Sequence, residues 1–223
     1  MIVRMLISSI VGLFLFGVTI FWPAGSLEWT AGWLYLVLIT SSFLINVIYL
    51  LRVNPEVIAH RLHMGKGTKR WDKIWSVFFT PAFLAIYIVA GFDAVRYEWT
   101  TMSFWFWPLG LLLWLPGNLL FTWSMGVNPF FEKTVRIQTD RDHRVIDTGP
   151  YRFVRHPGYL GFFGWSLSAP LLLGSWWAFV PACLTIVVIV IRTILEDQTL
   201  QRELTGYQEY ANRVPYRLIP KIW

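Results

Sequence analysis

The chain has 223 residues, of which 56% are hydrophobic and only 14% charged, with a formal net charge of +6 and a mean hydropathy of +0.51. A soluble domain carries about 25% charged residues, so the composition excludes an ordinary soluble enzyme and fits a helical bundle embedded in a bilayer. Fourteen tryptophans and 17 phenylalanines agree, because indole rings anchor at the headgroup level.

Taken in chain order, the first apolar run is Met5 to Trp22 and the second Ala31 to Leu51; the third is Ile74 to Phe92 and the fourth Phe104 to Met125. Each is near the ~20 residues that a spanning helix needs. Arg4 before the first run and Ala24-Gly25-Ser26 after it also outline a signal peptide. The run is long for a signal core and one arginine is a thin leading segment, so a retained helix is expected. The fifth run, Tyr159 to Ile191, is too long for one span and short for two. It contains Pro170, Gly174, Ser175 and Pro181, and proline and glycine punctuate helices. A tight hairpin turning near Gly174 is expected, with one long kinked helix as the alternative.

Charge placement bears on that choice. One basic residue is Arg4, six lie between Arg52 and Lys73, six between Gly126 and His156, and five between Arg192 and the C-terminus. Only Arg96, among the 19 Lys and Arg, then falls in a loop assigned to the outside. Positive charge concentrates in cytoplasmic loops, and a single fifth helix would carry the basic tail to the wrong side. The expected architecture is therefore an all-α polytopic transmembrane bundle of five to six segments. It has a C-terminal hairpin, a cytoplasmic C-terminal helix and both termini in the cytoplasm. Residues 1–125 form the N-terminal transmembrane helices and residues 126–223 the half that carries chemistry. Membrane topology and anionic lipid headgroups account for the basic balance, and no nucleic-acid module or obligate protein partner is expected. Cys183, the one cysteine, cannot form an intramolecular disulfide and is expected to be a packed thiol.

Several chemistries find no support. No Gly-x-Gly-x-x-Gly follows a strand, and Gly65-Lys-Gly67 lies in a polar loop without that context. There is no phosphate-binding Gly-x-x-x-x-Gly-Lys-Ser/Thr loop, and no Gly-x-Ser-x-Gly elbow of a hydrolase. His60 and His63, with Glu56 nearby, lack enough further ligands for a metal site, so no metal is expected.

Two polar clusters remain, at the cytoplasmic ends of the expected hairpin. One runs from Gln138 to Tyr159 and includes the loop Gly149-Pro-Tyr-Arg-Phe-Val-Arg-His-Pro-Gly-Tyr-Leu-Gly161. The other is Arg192-Thr-Ile-Leu-Glu196-Asp197. Arg192 and Glu196 are four residues apart and share a helix face. In isolation they read as an intrahelical ion pair, with Arg192 snorkelling to the headgroups. A hairpin brings both clusters to one depth, and ionisable groups held there point to a functional site.

The C-terminal half, about Asn128 to Pro220, resembles the isoprenylcysteine carboxyl methyltransferase family of integral-membrane enzymes that use S-adenosylmethionine (SAM). The resemblance rests on the Gly149–Gly161 loop, the acidic pair after the last span, and the tail Gly206-Tyr-x-x-Tyr210-x-x-Arg213-Val-Pro215-Tyr-Arg-x-Ile-Pro220. Asn54-Pro-Glu56 and Trp71-Asp-Lys73 look like bacterial members. The resemblance implies that SAM is held by Gln138, His143, Arg144, Val145, Ile146, Tyr151, His156, Pro157, Gly158 and Tyr159. It places the substrate-contacting arginine at Arg192 and the cofactor-side glutamate at Glu196. Where the family often has a second glutamate, this chain has Asp197, which keeps the charge on a shorter side chain.

These residue types suit methyl transfer. Holding the nucleophile in line with the methyl group can supply ~7–11 kcal/mol of the barrier. Aromatic faces such as Tyr151 and Tyr159 attract a sulfonium, and an arginine orients a carboxylate by two hydrogen bonds. A carboxylate acceptor needs no general base; a thiol or amine would need one, with Glu196 or His156 as candidates. The acceptor is expected to be lipophilic or lipidated and to enter from the bilayer. Two other readings stand beside this one. The tail Arg213-Val-Pro215-Tyr216-Arg217-x-x-Pro220 also resembles NADPH-dependent membrane sterol and steroid reductases, with Arg141, Arg144, Arg152 and Arg155 available to a 2′-phosphate. The third reading is a non-catalytic membrane scaffold.

Overall fold

The computed structural model describes residues 2–61 and 67–223; His63, Gly65 and Lys66 lie outside them. The chain is helical, with no strand among the described residues. In order, the helices are α1 (Ile2–Ala24), α2 (Thr30–Val53), α3 (Pro55–Arg61), α4 (Arg70–Gly91), α5 (Trp107–Val127), α6 (Pro157–Leu173), α7 (Phe179–Glu203) and α8 (Tyr207–Arg213). A π turn, Phe92–Arg96, extends α4, and short 3-10 turns lie at Phe104–Phe106, Thr139–Arg141 and Gly149–Arg152.

Among the described residues, four helical stretches are long and apolar enough to cross a membrane: Thr30–Val53, Arg70–Arg96, Phe104–Val127 and Phe179–Glu203. Large apolar side chains lie bare along them, Ile45 at 64%, Val77 at 68% and Leu112 at 67% exposure. In water that surface would drive aggregation, whereas hydrocarbon is its natural solvent. The protein is an integral membrane protein. Cys183 belongs to this outer surface rather than to a packed interior, which corrects the expectation from its apolar run. A thiol is apolar enough to face lipid.

The chain forms two compact units, Met1–Ile45 with Thr80–Leu115 and Trp165–Ile186, and Asn46–Phe79 with Pro116–Gly164 and Val187–Trp223. The first unit is built on an apolar core that includes Ile20, Tyr35, Ile86, Tyr87, Leu172 and Ala182. Within it the chain reverses between α6 and α7. Gly174 takes φ +77°, a left-handed conformation open to glycine at no steric cost, and Ser175 N–H returns to the Pro170 carbonyl at 2.9 Å. Residues 157–203 are therefore a hairpin of two helices and not one kinked helix. Buried Asp93 fastens the turn, accepting from Ser175 Oγ at 2.6 Å and Trp177 N–H at 3.2 Å.

The second unit carries the polar residues. Inside it α5 and α6 meet backbone to backbone. A Cβ on Gly117 would lie 2.7 Å from the Gly161 carbonyl oxygen, and one on Gly161 2.6 Å from that of Gly117. Asn54 donates to the Met125 carbonyl at 2.9 Å, tying the start of α3 to α5. The apolar run that ends at Ile191 does not end its helix, because α7 continues to Glu203. Those twelve residues add about 18 Å of helix, and they carry Arg192, Glu196 and Asp197 on a rigid element.

Candidate active site

The segment after α5 is irregular, yet it is ordered by its own side chains. Gln138, 2% exposed, spans it. Its amide donates to the Phe130 carbonyl at 2.8 Å and its Oε1 accepts from Arg141 at 2.7 Å. The loop then enters the 3-10 turn Gly149–Arg152, where Gly149 has φ +57° and Trp123 and Val127 leave no room for a Cβ. Pro157 opens α6, where its missing N–H costs nothing. The C-terminal tail folds back onto this junction: Arg155 N–H meets the Tyr216 carbonyl and His156 N–H the Arg217 carbonyl, each at 2.9 Å.

Asp197 is the charge centre of that junction and has no exposed surface. Arg155 grips it with two bonds, Nε to Oδ1 at 2.8 Å and Nη2 to Oδ2 at 2.9 Å. Arg217 donates to Oδ2 at 2.9 Å, Gln201 at 2.8 Å, and Tyr207 to Oδ1 at 3.0 Å. His156 Nε2 lies 3.2 Å from Oδ1. The remaining Arg155 nitrogen donates to the Val214 and Pro215 carbonyls. Burial works against the Arg155 charge, but Asp197 outweighs it and raises the pKa.

One turn earlier on α7, Arg192 and Glu196 find different partners. Arg192 pairs with Asp72 on α4, with Nε 3.0 Å from Oδ1 and Nη2 3.3 Å from Oδ2. Nη2 also donates to the Lys133 carbonyl at 2.7 Å. The guanidinium lies 4.1 Å over the Trp75 ring and 5.6 Å from that of Tyr159. Asp72 itself accepts from Val135 N–H at 2.8 Å. The intrahelical Arg192–Glu196 pair that the spacing allows is not formed. Glu196 Oε2 instead accepts from the Tyr159 hydroxyl, and Oε1 has no partner among the described residues.

Other predicted residues feel the charge of Glu196. The His143 ring, tilted against Phe130 with centroids 4.5 Å apart, accepts from Gln138 N–H at Nδ1, 3.3 Å away. Burial lowers its pKa to about 4, although Glu196 pulls the other way. His143 is therefore neutral at pH 7 and carries its proton on Nε2. Tyr151 is buried, accepts from Asn128 at 3.1 Å and has its pKa raised, first by burial and also by Glu196. Tyr159 stacks against the His156 ring at 5.8 Å, and Gly158 gives way to the Phe131 ring, 2.6 Å from where a Cβ would stand.

Other predicted residues are placed elsewhere. The Gln138 side chain is spent on the loop itself. Val145 and Ile146 pack on the cluster of Tyr151, Leu204, Tyr207, Tyr210 and Val214, and Arg144 is exposed. Asp72, Trp75, Arg155, Tyr207 and Arg217 hold the site without having been singled out for it. All but Trp75 stood within the recognised motif pieces, but nothing in their spacing says that they converge. Among the described residues, no group of three or more His, Cys, Asp or Glu is arranged to hold a metal.

Comparison with known proteins follows this geometry. Residues 111–202 match the sequence model of the isoprenylcysteine carboxyl methyltransferase (ICMT) family. The protein-S-isoprenylcysteine O-methyltransferase of Saccharomyces cerevisiae is 32% identical over 114 residues, 48% of this chain and 46% of that protein. The Rattus norvegicus protein of the same name is 25% identical over 150 residues, 63% and 50% of the two chains. The chain thus spans about half the length of these curated relatives. In fold it is similar to the eukaryotic intramembrane Ras methyltransferase ICMT solved without a monobody. The TM-score is 0.55 at 20% identity, over 86% of this chain and 66% of the other. The Arg155–Asp197 and Tyr159–Glu196 contacts fall inside the segment, residues 111–202, that is similar to the isoprenylcysteine carboxyl methyltransferase family.

Proposed function

We propose that the chain transfers a methyl group from SAM to a lipophilic carboxylic acid at the membrane boundary. The observation that carries this reading is the Glu196 carboxylate, with one oxygen held by Tyr159 and the other without a partner among the described residues, and with the Arg192 guanidinium 5.6 Å from the Tyr159 ring. This donor set fits SAM. Glu196 Oε1 can accept from hydroxyl or ammonium groups, His143 Nε2–H can donate, and the Tyr159 face suits a cation. SAM supplies an electrophilic methyl group on a sulfonium. The chain's residues bind and orient. Arg192, fixed by Asp72 and Trp75, has no partner at Nη1 among the described residues and can hydrogen-bond an acceptor carboxylate. Val145, Ile146 and Gln138 support the loop that carries His143 and Tyr151.

The engaged histidines favour a carboxylate over a thiol or amine. His156 is taken up by Asp197 and Tyr207, and the remaining oxygen of Glu196 is assigned to the cofactor's hydroxyl or ammonium groups, so neither is left over as a base. A carboxylate attacks as the anion it already is. An S-isoprenylcysteine, the group named for the relatives, has the right chemistry: a greasy tail and one carboxylate. The reductase alternative is weakened because two of its four arginines are occupied, Arg155 by Asp197 and Arg141 by Gln138 and the Pro129 carbonyl.

The test is incubation of detergent-solubilised protein with methyl-labelled SAM and N-acetyl-S-farnesylcysteine. A labelled, base-labile methyl ester is expected, together with thermal stabilisation by SAM. Stabilisation by NADPH alone, with no ester formed, would overturn the proposal.

A further inference from the structure

Arg192 is not a free countercharge. Asp72 already meets its guanidinium, and Glu196 lies close by on the same helix. An acceptor carboxylate arriving here would face one cation and two carboxylates. Its balancing charge has to come from another residue.

Two cations lie by the segment that holds Arg192, and among the described residues neither has a carboxylate partner: Arg61 at the end of α3 and Lys133 after α5. Arg61 Nη1 donates to the Phe131 carbonyl at 3.3 Å, and the guanidinium lies 5.4 Å over the Phe131 ring. Its Nε and Nη2 have no partner among the described residues, so most of its five donors are uncommitted. Arg192 Nη2 hangs from the Lys133 carbonyl. The two arginines are thus tied to carbonyls two residues apart on one segment, no more than about 7 Å along the chain. Burial and the neighbouring Arg192 bring the Arg61 pKa down to about 10, and Tyr159 opposes them. Lys133 is lowered by burial and then by Arg61. Repulsion of Arg61 by Arg192 and of Lys133 by Arg61 is a stability cost of the kind that functional sites retain.

We infer that Arg61, with Lys133 beside it, is the anion subsite that supplies the countercharge for the acceptor carboxylate, while the Arg192–Asp72 pair is a fixed orienting group. The inference rests on the methyltransferase reading and assigns acceptor affinity to residues upstream of α4 and in the loop.

The experiment compares wild type, Arg61→Gln, Arg61→Lys and Lys133→Gln, with N-acetyl-S-farnesylcysteine and its methyl ester as ligands. Binding of acid and ester is read by thermal shift, and turnover by label from SAM. Arg61→Gln should raise the KM of the acid by about tenfold or more, the size of one charge-assisted hydrogen bond. Its kcat should stay within about threefold of wild type, and binding of the ester and of SAM should not change. Arg61→Lys should restore part of the loss, and Lys133→Gln should show a smaller loss in the same direction. Equal weakening of acid and ester would mean that Arg61 only packs, and would overturn the inference. So would an unchanged KM, or an effect that vanishes when anionic phospholipid is left out. A wild type that binds the acid through Arg61 yet transfers no methyl group would overturn the methyltransferase reading instead.

Discussion

Asp197 accepts hydrogen bonds from Arg155, Arg217, Tyr207 and Gln201 in a site closed to solvent, so removing its charge strands a buried arginine. Asp197→Asn keeps the shape and deletes the charge. Breaking a buried pair from one side costs about 3–5 kcal/mol, which for a chain of this size lowers the thermal midpoint by on the order of 10 °C. Glu196→Gln should move the midpoint far less, because Glu196 is only half-buried and takes one bond, from Tyr159. Adding Arg155→Met to Asp197→Asn should recover part of the loss, since the second change removes the stranded charge. Thermal unfolding in detergent reads all three; a midpoint unchanged in Asp197→Asn would refute the hub. The sequence made Arg192 and Glu196 legible through their spacing and their place at the end of an apolar run. It did not reveal the weight on Asp197. That weight comes from the tail folding back on residues 155 and 156, a pairing across about sixty residues that leaves no periodic trace.

Helices α5 and α6 touch at Gly117 and Gly161, each lying against the other's carbonyl. Small residues of this kind let membrane helices approach closely, where packing rather than hydrophobicity drives association. A methyl group at either position meets backbone, which cannot rotate away. Gly161→Ala should therefore cost about 1–3 kcal/mol as an overpacking change. Because α6 carries His156 to Tyr159 at its start, SAM affinity should fall with it. Gly12→Ala on α1, where a Cβ meets nothing within 4 Å, is the matched control and should leave both quantities unchanged. Thermal midpoints and SAM titrations of the two variants decide the matter, and equal behaviour would exclude the close crossing. The helices themselves were legible, because apolar runs near twenty residues and the Gly174 break follow from bilayer thickness and glycine's conformational freedom. Their ends were not. The run ending at Ile191 continues as helix to Glu203, since residues 192–203 trade lipid contact for ion pairs and hydrogen bonds that hydropathy does not count.

At the scale of the whole chain, charge and one set of contacts predict an orientation in the bilayer. Residues 155 and 159, around the start of α6, touch residues 197 and 196 of α7. The segment before α6 and the tail after α7 therefore leave the membrane on the same side. Those two segments hold nine of the 19 basic residues, the C-terminal half of α7 adds Arg192 and Arg202, and the stretch from Arg52 to Lys73 holds six more. Because Lys and Arg are retained on the cytoplasmic side, we expect the site and the tail to face the cytoplasm and the Tyr97–Ser103 loop, with its single neighbouring Arg96, to face outside. Single cysteines report this directly once the chain's one native thiol is removed by Cys183→Ser. Arg144→Cys and Glu209→Cys, at exposed positions, should resist a membrane-impermeant maleimide in right-side-out vesicles and react once the vesicles are opened. Thr101→Cys, also exposed, should react in both. Labelling of position 209 without opening, while 144 stays protected, would separate two segments that the Tyr159–Glu196 contact requires to be together. Labelling of both would invert the protein and put the acceptor's entry on the outer leaflet.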